Sequence, residues 1–102
     1  GGVERYPGGS AGVPGGYESD SRLQLKQQLI GQQQLLRRQA DEERNYATAE
    51  RDTYNKLVSD PSNVQLRRDY INYQAARAQQ RITMEQTIEQ IRLLQDKLSR
   101  TP

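Results

Sequence analysis

Between Tyr17 and Thr101 the chain contains one glycine, Gly31, and one proline, Pro61. Over such a span, the near-absence of helix breakers permits two long helices and little else. The remaining glycines crowd the other end: seven of the eight lie within the first 16 residues, beside Pro7 and Pro14. The stretch GGVERYPGGSAGVPGGYESD cannot bury enough apolar surface to offset its ordering entropy. Residues 1–20 are therefore expected to form a flexible tail or linker. Tyr17, Ser19 and Ser21 sit beside acids, a setting open to phosphorylation, but composition favours ordinary linker residues.

Residues 21–99 are expected to form a helical hairpin. Helix 1 runs over about 21–58, started by Ser21 with Gln24 as a capping box. The run SDPSN divides the chain, with a turn at 59–62 built from Ser59, Asp60, Pro61 and Asn63. Asp60 would cap helix 2 and Pro61 would occupy its first turn, where a missing N–H costs nothing. Helix 2 follows over about 61–99. Two helices of about 37 residues, each roughly 55 Å long, joined by a short turn, predict an antiparallel all-α coiled-coil hairpin. Composition agrees: 32% hydrophobic and 27% charged residues, without Trp or Phe, supply narrow apolar stripes but no globular core.

On a wheel at 100° per residue, Leu25, Leu29, Leu36, Ala40, Ala47, Tyr54 and Val58 fall on one stripe of helix 1. Leu66, Tyr70, Tyr73, Met84, Ile88, Ile91 and Leu98 fall on one stripe of helix 2. Both follow the three-and-four spacing of a coiled-coil seam. Folding back at 59–62 brings Tyr54 near Tyr70 and Ala47 near Gln74 and Ala75. Core packing explains the tyrosines better than a recognition patch does. Gln32, Glu43, Glu50, Arg77 and Gln80 interrupt the stripes, and Glu43 would face Arg77. Such a pair selects register more than it stabilises.

A second stripe lies opposite the seam of helix 2. Val64, Ile71, Ile82 and Leu93 fall within about 20° of their common mean direction, with Ala75 and Ala78 near them. A hairpin leaves this face in water, and contiguous exposed apolar residues mark interfaces more often than they stand alone. These six residues are the candidate partner-binding set. Helix 1 carries a flanking row of Leu35, Tyr46 and Leu57.

Catalysis has no visible carrier. The chain lacks Cys and His, and the helical part has no glycine-rich phosphate loop, so no catalytic, cofactor-binding or metal residue is assigned. The DEER run at Asp41–Arg44 reads as a solvated face. Arg37–Arg38 and Arg67–Arg68 are offset by neighbouring acids, and the formal net charge is only +2, so neither nucleic acid nor membrane is the expected partner. Twelve of the fifteen cations are arginines, which favours forked, specific contacts. A chain opening on glycine reads as an excised or processed segment, expected in the cytoplasm.

The stretch RDTYNKLVSDPSNVQLRRDYINYQAARAQQRITMEQTIEQIRLLQDKL, from Arg51 to Leu98, resembles the turn and second helix of the homology-region-1 coiled-coil fingers of Rho effectors. These fingers occur in protein-kinase-C-related kinases and F-BAR actin adaptors. The resemblance rests on Tyr54-x-Lys56 before an Asp-Pro-Ser turn, then a heptad helix ending in Leu94-x-x-x-Leu98. It implies binding of a GTP-loaded small GTPase of the Rho family. SDPSNVQLRRDYINYQ is also similar to the turn region of type III secretion needle subunits, which implies self-assembly through both helix faces. The expectation is a non-catalytic protein-interaction module binding a small GTPase or helical partner through the back of helix 2. A self-assembling bundle or filament subunit is the alternative.

Overall fold

A computed structural model describes residues 18–102. The tail expected at 1–20 lies almost entirely outside the described residues. The rest is the all-α antiparallel hairpin: α1 (Asp20–Ser59) and α2 (Val64–Arg100), packed against each other along their length.

The helix starts differ from the expected ones. Ser19, not Ser21, caps α1: its backbone is extended and its hydroxyl accepts the Arg22 N–H at 3.2 Å. Either serine can cap, but starting at Asp20 places a carboxylate in the first turn, where the helix dipole favours it. The turn is also shifted. Asp60 closes α1, its N–H donating to the carbonyls of Lys56 and Leu57, and does not cap α2. Its own carbonyl accepts the Asn63 N–H at 3.1 Å. Asp60–Asn63 is thus a hydrogen-bonded reverse turn with Asp first and Pro61 second, the positions those residues favour. Pro61 therefore lies ahead of α2. Asn63 caps α2, its Oδ1 accepting the Leu66 N–H at 3.0 Å while its Nδ2 donates to Asp60 Oδ2 at 3.0 Å.

The open end is tied by polar groups. Arg22 Nη1 donates to the carbonyls of Leu98 and Thr101, each at 2.7 Å. A cation from α1 thereby satisfies orphan carbonyls at the end of α2. Ser19 Oγ donates to the Pro102 carbonyl at 3.0 Å.

Burial follows a seven-residue repeat in both helices. In α1 it passes through Arg22, Leu25, Leu29, Gln32, Leu36, Gln39, Glu43, Glu50, Thr53 and Leu57; Tyr46 holds the same repeat position but is exposed, and Ala47 beside it is half-buried. In α2 it passes through Leu66, Tyr70, Tyr73, Arg77, Gln80, Met84, Thr87, Ile91, Leu94 and Leu98. Val58, 62% exposed, and Ile88, 50% exposed, are not seam residues; Leu57 and Thr87 hold those levels. Ala40 and Ala47 are half-buried at the edge of the α1 seam, and Tyr54 is exposed there but packs on Tyr70. The physical reason is supercoiling. A wheel at 100° drifts about 20° per heptad against a 3.5-residue repeat, and over five turns of heptad it leaves the seam.

No apolar side chain among the described residues is fully buried; the buried ones are Gln39, Thr53 and Thr87. The two threonines satisfy their hydroxyls locally, on the carbonyls of Ala49 and Thr83, four residues back. Their methyls are then free to pack in the seam.

Candidate interaction surface

The middle of the seam is ionic. Arg77 Nε donates to Glu43 at 3.1 Å and its Nη1 to Glu50 at 2.8 Å, and Arg81 approaches Glu43 at 3.6 Å. The guanidinium of Arg77 is held above its usual pKa, by Glu50 first and then Glu43. Gln80 Nε2 donates to the Gln39 carbonyl and to Glu42 at 2.9 Å. These contacts set the register in which Tyr54 and Tyr70 meet, ring centroids 5.6 Å apart and tilted by 45°.

The same contacts define two broad faces, each running over both helices. Tyr54, Arg81 and the Arg77 carboxylate partners mark one; the Gln80–Glu42 contact marks the other. A shallow cleft of about 280 Å³, lined by Ala47, Glu50, Arg51, Tyr54, Tyr70 and Arg77, opens on the first. Glu50 and Arg77 also line a neighbouring cleft with Gln74, Ala78 and Arg81.

The first face carries a row from α1 with a seven-residue step: Leu23, Ile30, Arg37, Arg44, Arg51 and Val58. All six are exposed. From α2 it takes Val64, Ile71, Ala78, Glu85 and Arg92, with Arg67, Arg81 and Ile88 nearer the seam. The α1 row is apolar at both ends, with Val58 by the turn and Leu23 and Ile30 by the open end; α2 adds Val64 and Ile71 by the turn and Ile88 toward the open end, with Arg67 and Arg92 beside them. Its middle is basic, and Glu85 is the acid in these outer rows. Arg44 pairs with Asp41, Arg51 approaches Asp52 at 3.8 Å, and Arg92 pairs with Glu89. The Glu89 contact holds the Arg92 guanidinium above its usual pKa. Such exposed pairs leave the guanidinium groups available. Arg37 has no ion pair among the described residues.

The opposite face carries Gln24, Arg38, Asn45 and Asp52 from α1, and Gln65, Asn72, Gln79, Gln86 and Arg100 from α2. Its cations and acids are mixed, with Glu42 and Asp69 beside Lys56 and Lys97.

The six candidate partner-binding residues are all exposed but do not share one face. Val64, Ile71 and Ala78 lie on the basic face. Ala75 and Ile82 lie on the outer crest of α2, and Leu93 on the far flank. Their 11-residue spacing winds around a helix whose seam repeats every seven. Of the α1 row, Leu57 belongs to the seam, Tyr46 is exposed at a seam level, and Leu35 lies on the opposite face. The arginine row Arg37, Arg44, Arg51 was legible as a seven-residue recurrence, but Arg37 read only as half of an Arg-Arg pair.

Among the described residues there is no group of three or more potential metal ligands, and no helix is long and apolar enough to cross a membrane. No protein-family model, curated protein or solved structure matches this chain.

Proposed function

We propose that this chain is a non-catalytic protein-interaction module, a rigid hairpin that presents exposed apolar residues of α2 to a protein partner. The observation that carries it is Ile71: a large aliphatic side chain 54% exposed two turns into α2, with Val64 one heptad before it and equally exposed. A hairpin of this kind has no use for them in its own seam, and aligned exposed aliphatics are costly in water unless a partner covers them. Function then consists of holding a shaped surface. A GTP-loaded Rho-family protein is the partner that the finger resemblance implies. Self-assembly into a bundle or filament is the rival reading.

The test compares the full chain with an Ile71→Ser/Ile82→Ser variant. Capture of a defined protein by the parent chain, lost in the variant at unchanged melting temperature, supports the interaction reading. Sedimentation that shows a concentration-dependent oligomer, abolished by the same variant, supports self-assembly instead. A monomer that captures nothing the variant loses sinks both.

A further inference from the structure

We infer that the basic face, spanning both helices, docks an acidic amphipathic helix from a partner protein and so completes a three-helix bundle. This rests on the interaction reading above and names the partner's chemistry. The face is large enough: two helices about 10 Å wide and about 55 Å long offer roughly 1,000 Å² of projected area, against about 800 Å² per partner in a stable interface.

The pattern along the face selects the occupant. Ile30 and Ile88 close one end, and Tyr54 and Ile71 the other, about 36 Å apart at 1.5 Å per residue. Between them Arg37, Arg44 and Arg51 recur about every 10 Å along α1. A helix matches that repeat with one acid every second turn, and its apolar residues cover both ends. A third helix lying over the groove between two others is also the usual way a narrow helical pair gains a core.

A second copy of this chain fits poorly. A two-fold axis across the helices sets the arginine row of α1 against its own copy, and one along the helices sets it against Val64, Ile71, Ala78, Glu85 and Arg92 of α2, where a single acid answers three arginines. A nucleic-acid backbone would satisfy the arginines but leave both apolar ends without a partner.

The probe is a synthetic amphipathic helix of about 30 residues, leucines on its apolar stripe and glutamates flanking it. Its control replaces the glutamates with glutamine. Fluorescence anisotropy with the full chain should show about tenfold tighter binding of the acidic peptide at low salt, with the preference shrinking as ionic strength rises. Arg37→Glu/Arg44→Glu/Arg51→Glu should abolish that preference with helicity unchanged. If that variant loses helicity, the Arg→Gln triple serves, and should lower the preference likewise. Equal binding of both peptides overturns the proposal. So does binding of anionic phosphatidylserine vesicles or duplex DNA where the acidic peptide fails, or a dimer that the arginine variants leave intact. If Ile71→Ser/Ile82→Ser retains every captured partner, the interaction reading itself falls. If that variant loses them and charge reversal does not, only the acidic-helix proposal falls.

Discussion

The two halves of the hairpin are joined by different chemistry. Toward the open end the seam is aliphatic, with Leu25, Leu29 and Leu36 level with Met84, Ile91 and Leu94. From the centre toward the turn it is mixed, with Glu43, Glu50, Arg77, Gln39 and Gln80 holding the centre, Tyr54 against Tyr70 beyond, and Leu57 and Leu66 next to the turn. The aliphatic half supplies cohesion, because apolar burial is non-directional and tolerates sliding. The polar centre supplies register, because a guanidinium shared by two carboxylates has one good position. A seam with no fully buried apolar side chain needs both.

The largest effect should come from breaking the aliphatic half. Leu94→Ala should cost roughly 1–2 kcal/mol, less than a fully buried leucine because the site is partly open. Chemical denaturation would measure it, and a loss near zero would show that the open half contributes little. Arg77→Ala should lower the melting temperature by a smaller amount, since Arg81 remains near Glu43. Replacing Arg77, Glu43 and Glu50 together with Met and Leu should instead restore or raise stability while allowing alternative registers. Spin labels at residues 25 and 96 would report those as a second distance. A single sharp distance in the triple variant would show that register does not depend on the ionic centre.

Gly31 sharpens the comparison with the opposite sign. It lies exposed within α1, and a methyl added there meets nothing within 4 Å. Gly31→Ala should therefore stabilise the open half by about 0.5–1 kcal/mol, read from the denaturation midpoint. A fall in stability would point to strain in the helix at that level.

Ile71→Ser should change monomer stability by less than about 0.5 kcal/mol, the range of surface substitutions, because Ile71 stands outside the seam. An early-melting monomer would mean that the residue is core.

The smallest effect concerns pH. Glu18 is held below its usual pKa, chiefly by its hydrogen bond from Lys26, with Arg22 adding to it. A depressed carboxylate pKa stabilises the fold above the unfolded value near 4.5, and that contribution disappears as pH falls through the folded value. A melting-temperature profile over that acid range should lose a small step in Glu18→Gln. An unchanged profile would show that the contact at the open end is screened by water.

Much of the architecture was readable residue by residue. Gly31 and Pro61 as the only breakers between Tyr17 and Thr101 dictated two helices and one reversal, because backbone propensity is a local property. Glu43 facing Arg77 followed from the turn position alone. The caps moved by two or three residues because Ser19 and Ser21, and likewise Asp60 and Asn63, are all good capping side chains. Choosing between them takes the partner contacts of Ser19 with Pro102 and of Asn63 with Asp60.

The phase of the seam was beyond local reading, and with it the division of the surface into two faces. About half of the α1 seam is polar, so hydrophobicity alone could not choose between Thr53 and Leu57 on one side and Tyr54 and Val58 on the other. Only supercoiling, a property of two helices in contact, settles the seven-residue repeat. That repeat gathers Val64, Ile71, Ile88 and the arginine row onto one face and sends Leu93 to the far flank. The sequence by itself determined which segments are helical and where they reverse. The tertiary structure decided which outward residues share a surface, because that depends on the twist each helix takes against the other.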